Sequence, residues 1–279
     1  MKHSLDIFSS YDHFLPGLGG MFKLFAMFLL GALLGNIANL GLEAGFGKDF
    51  ISDYGNLISY PIMFAPAMLY SSRQSRKNEH ITPGIPLDSG GFGTKLWTIL
   101  IAAGILSTVA SAYIVEPITA LLPEMPSWLE QTMKQMLENM PLWATLVSVS
   151  VFAPLFEEWL CRGIVLRGLL RTTNPAAAIA ISSVFFAILH MNPWQAIPAF
   201  ILGCLFGYVY YRTGSLKLTM LMHCTNNTMA VIFSKTPQFK GAETFMDILS
   251  PWAYWSIYAI CLLIAAGSIA IFSSTGYKK

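Results

Sequence analysis

Long runs of apolar residues alternate with short polar connections along this chain. Because a helix needs roughly 20 apolar residues to cross the hydrocarbon core of a bilayer, each run of that length predicts a membrane span. We predict about eight transmembrane helices, so the fold class is all-α, a polytopic membrane helix bundle. The predicted spans lie near residues 21–42, 55–71, 96–118, 142–170, 175–191, 194–212, 216–234 and 251–273.

A shorter amphipathic pattern precedes the fourth span. Ser127 and Glu130 have the spacing of a capping box, and apolar residues then recur at helical spacing as far as Met140. This pattern predicts a helix that lies on the outer membrane surface. An interfacial anchor is the favoured role for it, and a gate for substrate is the alternative.

Pairs of glycines indicate where helices pack closely, and clusters of basic residues indicate how the protein is oriented in the membrane. Gly31-x-x-x-Gly35 and Gly203-x-x-x-Gly207 predict close approach of helices. Lysine and arginine concentrate in alternate connections, which the positive-inside rule makes cytoplasmic, so both termini are predicted to be cytoplasmic. The residues on that side are Arg73, Arg76, Lys77, Lys95, Arg167, Arg171, Arg212, Lys217, Lys278 and Lys279.

The composition supports an integral membrane protein. Hydrophobic residues make up 54% of the 279 residues and charged residues only 11%, against about 25% charged in soluble domains. A net charge of +2 is too small to suggest a nucleic-acid partner. The cysteines Cys161, Cys204, Cys224 and Cys261 fall in different predicted spans, which indicates neither a disulfide framework nor a CxxC metal site.

Three charged residues stand inside the fourth predicted span. A charge at the centre of a bilayer costs roughly 2.5–3.5 kcal/mol, so Glu157, Glu158 and Arg162 require either partners or a function. Residues four apart share a helix face, which pairs Glu158 with Arg162. Glu157 points about 100° away and is predicted to face a cavity, where it could act as a general base. A buried salt-bridge network that braces the bundle is the alternative.

Two further spans carry polar groups. His190 follows Phe186 by one turn in the fifth span, and His223 and Asn227 lie one turn apart in the seventh, where they are suitable donors to an oxyanion. Hydrogen bonds between helices are the alternative. At 1.5 Å per residue from the cytoplasmic loops, Glu157, His190, His223 and Asn227 lie at heights of roughly 20, 22, 12 and 18 Å. We therefore expect them to meet at about one level.

These three motifs resemble those of the CPBP family, the CAAX-protease and bacteriocin-processing family of membrane proteins. They read Glu-Glu-x-x-x-Arg at 157–162, Phe-x-x-x-His at 186–190 and His-x-x-x-Asn at 223–227, and the likeness covers about residues 140–235. Cys161 departs from it, because family members often have an aromatic residue before the motif arginine. The resemblance implies an eight-helix intramembrane glutamic endopeptidase. Its parts would be N-terminal helices with the outer amphipathic helix (1–141), the catalytic core (142–235), and an outer loop with a final helix (236–279).

The resemblance also implies roles for the motif residues. Glu157 would activate the attacking water, and His190 would help to hold it. His223 and Asn227 would stabilise the oxyanion. The pair of Glu158 and Arg162 would order the site. We expect no cofactor, and zinc bound by glutamate and histidine is the alternative.

The expected partners are a peptide or membrane-protein substrate and the lipid bilayer, with no nucleic acid. The short loops favour a bacterial plasma membrane. The alternative function is a non-enzymatic bacteriocin-immunity or membrane scaffold protein. A proton-relay transporter is disfavoured because the chain lacks repeat symmetry, and a cysteine mechanism through Cys161 is disfavoured because no activating base is evident nearby in the sequence.

Overall fold

The computed structural model describes residues 9–82, 87–88, 92–138, 140–239 and 244–275. Within these ranges the chain forms helices and no strands, which confirms the all-α bundle. The helices are α1 (Leu18–Phe46), α2 (Lys48–Lys77), α3 (Thr94–Thr119), α4 (Ser127–Glu138), α5 (Leu142–Leu169), α6 (Pro175–Leu189), α7 (Pro193–Thr213), α8 (Leu216–Lys235) and α9 (Pro251–Ser274).

Helix length and apolarity agree with a protein that is integral to the membrane. In the described part of the chain, α1, α3, α5, α7 and α9 are long and apolar enough to cross a bilayer. Helix α6 is apolar but has only 15 residues. Helices α2 and α8 have 30 and 20 residues but are less apolar, since polar and charged residues occupy parts of both. The five apolar helices confirm a membrane bundle, and the count of eight spans stays a prediction for α2, α6 and α8.

Polar caps set the ends of the helices in the central part of the chain. The side chains of Asn174 and Asn192 accept hydrogen bonds from the first turns of α6 and α7, each of which begins with proline. The predicted break between the fifth and sixth spans is therefore confirmed. Gly214 follows the last residue of α7 and caps the helix. Its φ of 65° is a left-handed conformation that glycine adopts without strain.

The predicted amphipathic helix forms as α4. It begins at Ser127, as expected, but ends at Glu138, so Met140 lies beyond it and is buried. The side chain of Trp128 is 68% exposed. The indole of Trp194 donates a hydrogen bond of 2.8 Å to the Pro123 carbonyl and so ties the connection before α4 to α7. Attachment of α4 to the membrane surface stays a prediction.

Helix α5, which carries the charged residues, is not a regular α-helix. Leu146–Phe152 and Trp159–Leu166 have π-type hydrogen bonding on either side of an α-helical turn, Ala153–Glu158. Such π segments are frequent at functional sites. The N–H of Ala153 bonds to the carbonyl of Ser148, and Pro154 has no N–H. The Val149 carbonyl would accept from residue 153 in an α-helix and from residue 154 in a π-helix. It therefore has neither of these donors.

Helices α1 and α2 approach each other closely at the first glycine pair. A Cβ atom on Gly31 would lie 1.9 Å from the Met63 carbonyl oxygen, and one on Gly35 would lie 3.1 Å from that of Ser59. No larger residue fits at Gly31 unless the helices separate. The close approach predicted from the glycine spacing is confirmed here. It is also confirmed at the second glycine pair of α7, which packs against α6.

The end of α5 that is predicted to be cytoplasmic is held by the segment before α1. Arg167 is buried and donates to the carbonyl oxygens of Tyr11 and Asp12 at 2.9 and 2.8 Å and to the Asp12 carboxylate at 3.2 Å. Arg167 therefore has a packing role in addition to its predicted contribution to orientation. Lys278, Lys279 and both chain ends lie outside the described residues, so the cytoplasmic placement of the termini stays a prediction.

Candidate active site

The predicted pair between Glu158 and Arg162 forms at the centre of α5. Arg162 Nη1 lies 2.6 Å from Glu158 Oε1, and both side chains are fully buried. Arg162 Nη2 also donates to the Gly203 carbonyl at 3.1 Å. The guanidinium group lies 4.5 Å from the ring centre of Phe186 and 5.5 Å from that of Phe206. These cation–π contacts further stabilise a charge that is removed from water.

The His223 ring lies between the two glutamates. Its Nδ1 is 3.0 Å from Glu158 Oε1, and its Nε2 is 3.8 Å from Glu157 Oε2. Because a carboxylate only accepts, Nδ1 carries the proton in the first contact. His223 is thus bonded directly to the arginine-paired glutamate, a contact that helical spacing within one helix could not predict.

Glu157 has a hydrogen-bond donor that the sequence analysis did not identify. The hydroxyl of Tyr60, on α2, donates to Glu157 Oε1. The Tyr60 ring stacks on Phe64 with centroids 5.6 Å apart and lies 6.4 Å from Phe156. The only signal in the sequence is a phenol within an apolar span, and no spacing rule connects it with α5. Glu157 therefore has a donor that lies outside the three sequence motifs.

His190 joins the cluster through an aromatic ring. It follows the last residue of α6, and its Nδ1 donates to the Phe186 carbonyl at 3.0 Å. In the neutral ring this leaves Nε2 as the acceptor nitrogen. The Phe186 ring meets the His190 ring edge-on at 5.1 Å and the His223 ring edge-on at 5.5 Å. Phe186 therefore bridges the two histidines of the predicted site.

Asn227 contacts α5 away from the glutamates. Its Nδ2 donates to the Val149 carbonyl at 2.8 Å, and its Oδ1 accepts from Asn226 at 3.1 Å. That carbonyl lacks a helix donor because the Ala153 N–H bonds to Ser148 and Pro154 has no N–H, so the amide replaces a missing backbone hydrogen bond. The contacts described in this subsection join the predicted site residues on α5, α6 and α8. The Asn227 amide, however, bonds to Val149, which lies eight positions before Glu157 on α5.

An open, mainly apolar groove of about 230 Å³ lies between α5 and α8. None of the predicted site residues, Glu157 included, lines it. The predicted opening of Glu157 to a cavity stays a prediction, although its side chain retains 12% exposure. Among the described residues, no three His, Cys, Asp or Glu side chains are grouped so as to hold a metal ion. The cofactor expectation stays a prediction as well.

Comparison with known protein families gives a match to the part of the chain that carries the candidate site. The family model described as "Type II CAAX prenyl endopeptidase Rce1-like" matches residues 139–229, which include all six predicted site residues. Residues 139–229, called the CPBP segment below because of this similarity, run from just before α5 into α8, so Tyr60 and the glycine pair of α1 lie outside them.

A protein of Bacillus subtilis (strain 168) that carries the name "Putative membrane peptidase YdiL" is similar to this chain. The two are 29% identical over 107 residues, which is 38% of this chain and 43% of the relative. The match thus spans less than half the length of that relative. No solved structure matches the chain.

Proposed function

We propose that the protein is an intramembrane endopeptidase that hydrolyses a peptide bond with water activated by Glu157. The observation that carries this proposal is the placement of the Glu157 carboxylate between the Tyr60 hydroxyl and the His223 imidazole. The CPBP match over the same residues supports the reaction class. A purely structural ion network would require Glu158 and Arg162 alone, whereas Glu157 is a second carboxylate that this pair does not neutralise.

Hydrolysis in such a site begins with proton transfer. Glu157 takes a proton from a water molecule, and the oxygen of that water forms a bond with the carbonyl carbon of the substrate. The C–N bond then breaks, and the proton held by Glu157 passes to the departing amine. The products are a carboxylic acid and an amine, the acid proton then passes to the amine to give a carboxylate and an ammonium group, and the free glutamate is restored. His190 Nε2, the acceptor nitrogen of its ring, orients the water.

The tetrahedral intermediate requires hydrogen-bond donors. His223 can donate from Nε2 when it is protonated, and Asn227 has a second amide N–H besides the one bonded to Val149. Glu158 and Arg162 keep the His223 ring in place through the hydrogen bond to Nδ1. The substrate is then a peptide or membrane protein whose scissile bond lies in or beside the bilayer, with the bacterial plasma membrane as the location.

The substrate and the reaction can be tested together. Newly formed peptide ends are compared by mass spectrometry in membranes that contain either the native protein or Glu157→Gln at equal expression. We expect a set of ends that occurs only with the native protein. Identical sets would contradict the protease and favour a non-enzymatic immunity or scaffold protein.

The expectation of cofactor-free hydrolysis leads to a separate prediction. Removal of divalent metal ions should leave the cleavage rate unchanged, because glutamate and histidine side chains alone supply the proton transfers. The measurement follows cleavage of an identified substrate by purified protein before and after dialysis against a chelator. Loss of activity that is restored by Zn²⁺ and by no other cation would establish the zinc alternative.

A further inference from the structure

Tyr60 is the contact of Glu157 that comes from outside the CPBP segment. Its hydroxyl donates to Oε1, while Oε2 is the oxygen that faces His223 Nε2 at 3.8 Å. The two oxygens of one carboxylate therefore have different surroundings. With Oε1 held by the phenol, Oε2 is the oxygen that remains for a water molecule.

The Tyr60 ring is fixed by neighbours on both helices. Phe64, one turn later on α2, stacks on Tyr60 at 5.6 Å and on Phe156 at 5.3 Å. Phe156 directly precedes Glu157 in α5. The stack therefore links the backbone that carries the phenol to the backbone that carries the carboxylate, which restricts the relative position of the two polar groups.

The position of Tyr60 also depends on α1. The close contacts of Gly31 and Gly35 fall on Met63 and Ser59, which flank Tyr60 in the sequence of α2. Ser59 and Met63 are four residues apart and share the face towards α1, so Tyr60 is carried on an adjacent face that reaches α5. The glycine pair thus fixes the helix that presents the hydroxyl to Glu157.

We propose that Tyr60 is a positioning residue for the reaction, whose hydroxyl holds Glu157 with Oε2 directed at the water. This inference rests on the proposed function. The other ionisable groups around the carboxylate are Glu158, Cys161 and Arg162 on its own helix and His223 on α8.

The test replaces Tyr60 by phenylalanine, which removes only the hydroxyl. We expect kcat to fall by about tenfold to a hundredfold, in line with the loss of a hydrogen bond to a charged group, while KM changes by less than about twofold. Tyr54→Phe is the matched control, because Tyr54 lies six residues earlier on α2 and its ring packs on Trp143. It should retain the native kcat.

Measuring Tyr60→Phe together with Glu157→Gln distinguishes failure of the proposed function from failure of the role proposed for Tyr60. Normal cleavage by Glu157→Gln would overturn the proposed function. An inactive Glu157→Gln together with a native kcat in Tyr60→Phe would overturn only the role of Tyr60.

A thermodynamic cycle provides a readout that does not depend on activity. The thermal midpoints of the native protein, Tyr60→Phe, Glu157→Gln and the double variant are measured in the same detergent. We expect loss of the hydroxyl to lower the midpoint less in the Glu157→Gln background than in the native one. Equal effects in both backgrounds would show that the hydroxyl does not act through the carboxylate and would overturn the proposal.

Discussion

At the scale of single residues, the site combines contacts within one helix with contacts across the bundle. The pair of Glu158 and Arg162 follows from their spacing of four on α5, and the structure contains it. The bond from His223 to Glu158 joins α8 to α5 over 65 positions, and no local rule predicts it. These side chains therefore also hold the helices together, which is the alternative role that their positions in the sequence allowed.

Asn227 allows the clearest test of such a structural contribution. Asn227→Ala removes the donor to the Val149 carbonyl, whose i+4 helix donor, the Ala153 N–H, bonds to Ser148 instead, and we expect a loss of about 1–3 kcal/mol in the free energy of unfolding. The measurement is reversible denaturation in detergent. Asn226→Ala is the control, since the Asn226 amide bonds only to the Asn227 side chain among its described contacts. Equal stability of Asn227→Ala and the native protein would contradict the assignment.

The sequence could predict the identity of the polar residues better than their partners. The three motifs place Glu157, His190 and His223 in separate spans, and the structure gathers them around Phe186 and Glu158. The Tyr60 contact depends on how α2 packs on α5, which is a property of the whole bundle. The Asn227 contact depends on a local change in helix bonding, which hydrophobic periodicity does not report.

At the scale of helices, apolar runs predicted most elements because length and hydropathy are properties of each segment alone. The predicted and observed helix ends agree best where a capping residue and a proline stand in the sequence, as at Asn174 and at the break before Pro193. Helix α2, Lys48–Lys77, is longer than the predicted second span, 55–71, because the helix continues through polar turns at both ends. The π segments of α5 were also not anticipated, since their hydrogen bonding leaves the apolar pattern unchanged.

Packing of α1 on α2 gives a prediction at this scale. Gly31→Ala places a Cβ atom 1.9 Å from the Met63 carbonyl, so α1 must move away from the helix that carries Tyr60. We expect both a lower thermal midpoint and a fall in cleavage of roughly tenfold or more, since misplacement of about 1 Å can cost a hundredfold. Gly41→Ala on the same helix is the control, because nothing lies within 4 Å of its Cβ position. Similar behaviour of the two variants would contradict the role of the contact.

At the scale of the whole molecule, the parts outside the CPBP segment contribute to the site. Helix α2 supplies Tyr60, α1 fixes α2, and the segment before α1 holds the end of α5 through Arg167. The bundle is therefore expected to act as one unit. Composition predicted a membrane protein, because so few charged residues cannot cover the surface of a soluble domain of this size.

The orientation of this bundle can be measured directly. Single cysteines placed at Glu79 and Leu121, in a background without the native cysteines, should react with an impermeant reagent from opposite sides of the membrane. Both positions are exposed, and Leu121 is 85% exposed. The positive-inside rule assigns Glu79 to the cytoplasm and Leu121 to the outside. Labelling of both from one side, or in the reverse order, would contradict the predicted topology.

The central claim, that Glu157 activates the water, is tested most directly by the cleavage rate of purified Glu157→Gln in reconstituted membranes. The amide preserves the shape of the side chain but cannot accept the proton, so we predict a fall in kcat of about 10²–10⁴-fold with an unchanged thermal midpoint to within a few degrees. The test uses a substrate cleaved by the native protein, with Tyr54→Phe prepared in parallel as the active control. A rate for Glu157→Gln within about threefold of the native rate would contradict the account.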